Sequence, residues 1–166
     1  MAEQIVVEET RSISRLRHQE SFGAYELLAF VCNEELYAVE LESVHEIVIP
    51  PPLTPVPRAP HAVLGICSVR GQLVTVLSLR AILNLPSIYH DRKNRILLAQ
   101  LGSDELIGLL VDEVHHVVRL KEDQVEPKSQ SLGGESTEGV VAIGRPDKDV
   151  LIVILDLITV LEKGCR

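Results

Sequence analysis

The amino-acid sequence predicts a mainly β protein made of two similar small β-barrels side by side. Three observations carry this. Of the 166 residues 46% are hydrophobic but only 3% aromatic, so the core must be built from Val, Leu and Ile, whose β-branched members favour pleated strands. Apolar ladders of strand length recur between turn residues through most of the chain. The second half also repeats the first. Glu34-Glu35-Leu36 aligns with Asp104-Glu105-Leu106 at an offset of 70 (106 minus 36), which also carries Glu42 onto Asp112, Val44 onto Val114, His45 onto His115, Ile47 onto Val117 and Val48 onto Val118. Residues 77–83 then align with 155–161 at an offset of 78 (155 minus 77), the growth falling in a Ser/Gly loop of the second half. Two copies of a strand, strand, turn, strand, strand, short-helix unit can each close a sheet and hide its edges. The competing account is chance similarity between apolar ladders.

In chain order, residues 1–22 set Arg11, Arg15, Arg17 and Glu20 around a thin apolar pair, Ile13 and Leu16, and are expected to form a flexible tail or a loosely docked helix. Residues 25–31, apolar on both faces, make a strand covered on two sides; 32–35 turn the chain and 36–41 return. Val44, Ile47 and Val48 have helical spacing for one or two turns. Pro50, Pro51, Pro52, Pro55, Pro57 and Pro60 then impose an extended crossing, readable as a rigid connector or as a recognition segment.

Residues 65–80 read as a strand, a tight Arg70-Gly71-Gln72 turn and a second strand. That strand puts Leu73, Thr75, Leu77 and Leu79 on one face and Val74, Val76 and Ser78 on the other. A short helix over 80–85 is stopped by Pro86. The polar stretch 87–94 is the best boundary, giving a tail (1–22), a first barrel subdomain (23–88) and a second with a C-terminal helix (89–166), together one domain. Strands follow at 95–101 and 105–111 around Gly102-Ser103-Asp104, and Val114, Val117, Val118 and Leu120 continue the apolar pattern. After a mobile surface loop at 128–139, a hairpin pairs 140–143 with 150–155, and Asp156 caps a last helix that ends before Gly164.

The charge of −8 repels phosphate backbones and no Lys/Arg stripe opposes it, so nucleic acid is not an expected partner. Cys32, Cys67 and Cys165 are scattered and odd in number, which fits reduced, mostly buried thiols in a cytoplasmic protein. No signal peptide and no apolar run of about 18 residues is seen, so membrane insertion is not expected.

No phosphate loop, dinucleotide fingerprint, zinc-protease motif or nucleophile elbow occurs. Cys67 as nucleophile would have only His61 near it as base. His115-His116 is the nearest approach to a metal site, but neighbours in a strand point to opposite faces and cannot easily share an ion. Carboxylate pairs such as Asp112-Glu113 read as solvated charge. No enzyme, cofactor or metal is therefore expected. Arg70 stands out: laying residues 68–71 on 141–144 keeps the turn glycine but puts Arg70 on Ile143. A cation that the fold does not require must reach solvent, pair with a carboxylate or meet a partner.

Gly65-Ile66-x-x-Val69-Arg70-Gly71-x-Leu73-x-x-Val76-Leu77-x-Leu79-Arg80 resembles the signature of the CheW family, the coupling proteins of bacterial chemosensory arrays. Val44-His45-Glu46-Ile47 resembles its Val-x-Glu-Ile element, and Gly108-Leu109-Leu110-Val111-Asp112-x-Val114 its Gly-x-x-Val-Asp-x-Val element. The likeness spans about residues 25–161; Ser68-Val69, Thr75 and Ser78 depart from it. It implies two SH3-like five-stranded barrels. It further implies an adaptor between the cytoplasmic tip of methyl-accepting chemoreceptors and the regulatory domain of the histidine kinase CheA, with other CheW-like proteins as array neighbours. Receptor contact would centre on the groove between barrels. The resemblance nominates Arg70, Gly65, Val44, Glu46 and Ile47, with Arg95 and Val117 on the facing barrel; it names no kinase-contact residue. The reading of another class is a small-ligand-binding double barrel in which Arg70 clamps a carboxylate.

Overall fold

The computed structural model describes residues 24–87, 91–128 and 138–166; the expected N-terminal tail and most of the Ser/Gly loop lie outside them. The described strands are β1 (Ala24–Cys32), β2 (Glu35–Glu40), β3 (Glu46–Val48), β4 (Val63–Val69), β5 (Gln72–Ser78), β6 (Arg95–Leu101), β7 (Glu105–Val111), β8 (Glu113–Lys121), β9 (Val125–Pro127), β10 (Val140–Asp147) and β11 (Val150–Leu155). Two short helices, α1 (Leu79–Ile82) and α2 (Leu157–Gly164), follow β5 and β11. Their caps are the short polar residues at the strand ends: Ser78 accepts from Ala81 N and Asp156 from Thr159 N.

The strands form a six-stranded sheet, β8-β1-β2-β11-β10-β9, and a five-stranded one, β3-β6-β7-β5-β4. Each curls around its own apolar cluster. Leu27, Ala38, Leu120, Ala142, Ile152 and Ile154 fill the first, and Cys67, Val74, Val76, Ile96 and Leu98 the second. The largest cluster lies between them, where Leu28, Phe30, Tyr37, Leu97, Ile107 and Leu109 meet residues of both helices. This explains why β1 is apolar on both faces: Leu27 points into a barrel, while Leu28 and Phe30 point at the other barrel.

The barrels do not follow the two halves of the sequence, so the expected division at residue 88 is not a division between sheets. The first sheet takes β1 and β2 from the first half and β8–β11 from the second; the other sheet takes β3–β5 and β6–β7. The chain changes sheets after β2, through a 3-10 turn at Leu41–Ser43, and again at Asp112 between β7 and β8. Residues 44–48 are accordingly not helical as their spacing suggested. Glu46, Ile47 and Val48 pair with Leu98, Leu97 and Ile96 of β6, and β-branched side chains suit that edge.

The strand registers uphold the repeat. Ile47 faces Leu97 as Val117 faces Leu28, and the parallel pairs Thr75–Ile107 and Val153–Tyr37 are equivalent. Both long hairpins are irregular at the same place, between Val63 and Gly65 and between Val140 and Ala142. Setting Arg70 on Ile143, however, was wrong. Ile143 faces Val153 within β10, as Ile66 faces Thr75 within β4. A further irregularity between Gly144 and Asp147 lengthens β10, so the counterpart of Arg70-Gly71 is Lys148-Asp149, flanked by the Asp147–Val150 pair as Arg70-Gly71 is by Val69–Gln72. Both turns carry a cation.

Candidate functional site

The two sheet-to-sheet crossings deliver the chain into edge strands, β3 in one sheet and β8 in the other. Val44 and Val114, just after the crossings, are partly buried against the inter-barrel cluster. Ile47 and Val117 are 40% and 43% exposed. Their register partners, Leu97 and Leu28, belong to that cluster. Paired residues share a face, so Ile47 and Val117 lie on the same faces as these cluster residues, each partly exposed at a sheet edge.

Both edge strands place two residues against one partner where the chain enters them. His45 N donates to Leu98 O at 2.7 Å, and Leu98 also faces Glu46. On β8 the register shift between Leu28 and Phe30 leaves His115 and His116 together opposite Ala29. The two imidazoles do not point to opposite faces, as an unbroken strand would have required; the bulge stacks them, centroids 6.3 Å apart and 13° from parallel. No group of three or more metal-ligating side chains occurs among the described residues.

Arg70 sits at the tip of the β4–β5 hairpin with φ of 49°, followed by Gly71 at 81°. Two positive φ values make the tight turn whose twist matches the strands. The guanidinium projects into solvent, 79% exposed, and its Nη2 donates to Glu46 Oε1 at 2.6 Å. Because β3 and β4 end the five-stranded sheet, this pair spans the seam of the barrel. Beside it, Thr54 in the proline crossing pairs with Ile66, each N–H donating to the other's carbonyl at 2.8 and 2.9 Å. A Cβ on Gly65 would lie 2.5 Å from Thr54 O; Gly65 lets the proline segment close the seam.

Of the nominated residues, the structure brings Arg70 and Glu46 into contact and places Val44 and Ile47 at or beside one sheet edge and Val117 at the other. Gly65 stands behind the seam as a packing residue. Arg95, at the start of β6, is turned to local carbonyls, its Nη1 donating to Arg92 O and Asn94 O, both at 2.8 Å.

Sequence reasoning missed a second arginine cluster and took Asp112 for solvated charge. Asp112 accepts from Arg80 Nε at 2.9 Å and Nη2 at 2.7 Å and from Asn33 N at 2.9 Å; its side chain is only 19% exposed. Burial alone would raise its carboxyl, but the Arg80 and Asn33 hydrogen bonds outweigh it and hold the group below the usual carboxylate range. The sequence signal was an acid and an arginine in separate motifs; nothing in their spacing says that they meet. Burial, assisted by the Asp112 charge, pushes the neighbouring Cys32 thiol up to about 12. Cys67 lies inside the second barrel, where burial also raises its thiol, against the thiolate a nucleophile needs.

A cleft of about 630 Å³ lies over β2 and β11, lined by Leu36, Tyr37, Leu83 and Val153 together with Glu35 and Arg145. Arg70 is not part of it, so this cleft does not supply the pocket in which Arg70 would clamp a small carboxylate. Among the described residues no helix is long and apolar enough to cross a membrane.

Residues 26–164 match the family model of the CheW-like domain. The chain is 26% identical over 147 residues to the chemotaxis protein CheW of Helicobacter pylori, covering 89% of this chain and 87% of that protein. It is 28% identical over 141 residues to CheW of Thermotoga maritima, covering 84% and 89%. Among solved structures, the scaffolding protein TtCheW of Thermoanaerobacter tengcongensis superposes with a TM-score of 0.73 at 29% identity, covering 83% of this chain and 92% of that one.

Proposed function

The chain belongs to the family of CheW-like domains, and from that premise we propose that it is a non-catalytic adaptor coupling methyl-accepting chemoreceptors to the histidine kinase CheA. It would act at the cytoplasmic face of a chemosensory array, alongside other CheW-like proteins. Relatives of comparable length are named chemotaxis proteins or scaffolding proteins, which supports a scaffold over a catalyst.

What supports the reading is the pair of edge strands, with Val44 and Ile47 on one side and Val114 and Val117 on the other, read here as the two lips of an apolar groove, together with an exposed arginine at the seam of one barrel. A helical hairpin at a receptor tip presents apolar side chains at i, i+3 and i+4, and such a row fits an apolar groove. Arg70, held by one surface carboxylate, can exchange Glu46 for a carboxylate of the receptor at little cost, since an exposed pair is worth about 0–1 kcal/mol. Once the partner excludes water the new contact strengthens. Kinase contact would use the hairpin ends of the barrels, where Leu73 and Leu151, equivalent in the two copies, are 74% and 45% exposed.

Titration calorimetry of the full chain with a receptor cytoplasmic fragment tests this. Ile47→Ser and Val117→Ser should each weaken binding about tenfold while leaving the fold intact. Equal affinity of both variants and the parent would remove the groove from the reading. A metabolite screen by thermal shift that stabilises the chain, with no binding to receptor or kinase, would favour the small-ligand module instead.

A further inference from the structure

The two crossings are equivalent in sequence and position but not in how they are held. At the second, the Arg80 guanidinium uses all three nitrogens. Nε and Nη2 grip Asp112 at 2.9 and 2.7 Å, and Nη1 donates to Asn33 Oδ1 at 3.3 Å and Pro86 O at 2.7 Å. Asn33 N closes the ring onto Asp112 Oδ2 at 2.9 Å, and Asp112 N donates to Val31 O at 3.1 Å. Four segments converge there: the β1–β2 turn of one barrel, α1 after the other barrel, the segment leading to β6, and the crossing itself. The side chains of Arg80 and Asp112 are 12% and 19% exposed, so salt screens them little and the forked geometry is well defined. At the first crossing the repeat puts Ile158 in place of Arg80 and the exposed Glu42 in place of Asp112; no such cluster can form.

Resting on the reading of the groove as the receptor site, we propose that Arg80, Asp112 and Asn33 are positioning residues that lock the β8 lip. Asp112 lies two residues before Val114 and five before Val117. Fixing its carboxylate fixes the point from which β8 departs and hence the spacing of the lips. The β3 lip is tied by the solvent-exposed Arg70–Glu46 pair and by its short ladder to β6, and adjusts to the partner. The groove has one rigid wall and one adaptable wall, although the repeat would have made them alike.

Hydrogen exchange on the full chain, read peptide by peptide with and without a receptor cytoplasmic fragment, tests this on Arg80→Met, which keeps the apolar stem. The lock predicts exchange at least about tenfold faster over 31–35 and 112–117, unchanged rates in β4, β5 and β10, and receptor affinity lowered about fivefold to tenfold. Arg70→Ala, by contrast, should lose affinity with exchange unchanged. Asp112→Asn, which keeps the shape and loses the charge, carries the same readings should Arg80→Met fail to fold. Exchange that rises evenly over both sheets, or stays unchanged at 112–117, overturns the lock. Local loosening without loss of affinity overturns its positioning role. If the parent chain binds no receptor fragment the groove reading itself falls, and the exchange rates still decide whether the lock exists.

Discussion

Arg70 and Glu46 meet at 2.6 Å across the two end strands of the five-stranded sheet, yet the arginine is 79% exposed. A surface pair of this kind adds about 0–1 kcal/mol to stability. Arg70→Ala should therefore leave the melting temperature nearly unchanged and lower affinity for a receptor fragment by about 2 kcal/mol or more, as loss of a desolvated charge contact does. A double-mutant cycle with Glu46→Ala should show little coupling in the free protein. Unchanged receptor affinity in calorimetry would remove Arg70 from the interface.

Gly65 belongs to the same sequence signature but answers to a different constraint. A methyl group there would stand 2.5 Å from the Thr54 carbonyl oxygen, with φ at +154°. Backbone cannot yield cheaply, so Gly65→Ala should cost about 2–3 kcal/mol in urea unfolding. Gly71→Ala, with open space around its Cβ and φ of +81°, should cost about 1 kcal/mol. If the two cost the same, the seam is not closed through Gly65.

Much of this was legible in the sequence. Glu34-Glu35-Leu36 against Asp104-Glu105-Leu106 exposed the repeat because register forces equivalent apolar patterns on equivalent strands. Three things were not legible, each for a physical reason. Exchange of the β1–β2 and β6–β7 hairpins between barrels leaves no trace in periodicity, since a strand has the same alternation whichever sheet it joins. The bulges at His45 and His115 shift a face by one residue, which made adjacent histidines look opposed when they stack. The Arg80–Asp112 contact joins residues from different motifs through tertiary structure alone.

Leu73 and Leu151 test the proposed kinase face. Each stands one residue beyond a hairpin's closing pair, Val69–Gln72 or Asp147–Val150, on the equivalent strands β5 and β11. Exposed leucines contribute little to stability, so Leu73→Ser and Leu151→Ser should melt within a few degrees of the parent. If the kinase regulatory domain docks barrel to barrel, one or both should reduce co-sedimentation with CheA and leave receptor-fragment affinity intact. Loss of receptor binding with kinase binding retained would reverse the assignment of the two faces.

Asp112 gives the fold a defined response to acid. Its carboxyl is held below the usual range when folded, against about 3.9 in an unfolded chain. A depressed folded value means that its stabilisation is complete above the unfolded value and is lost as pH falls through the folded one. At pH 7, Asp112→Asn leaves Arg80 facing a neutral amide and should cost about 1–3 kcal/mol in urea unfolding. As pH falls below the unfolded value and through the depressed folded one, the parent's own carboxylate takes up its proton and becomes equally neutral. The two stability curves should then converge from the parent's side, the parent falling more steeply than the variant. Parallel curves over that window would mean that the Arg80 contact contributes nothing that depends on the charge of Asp112.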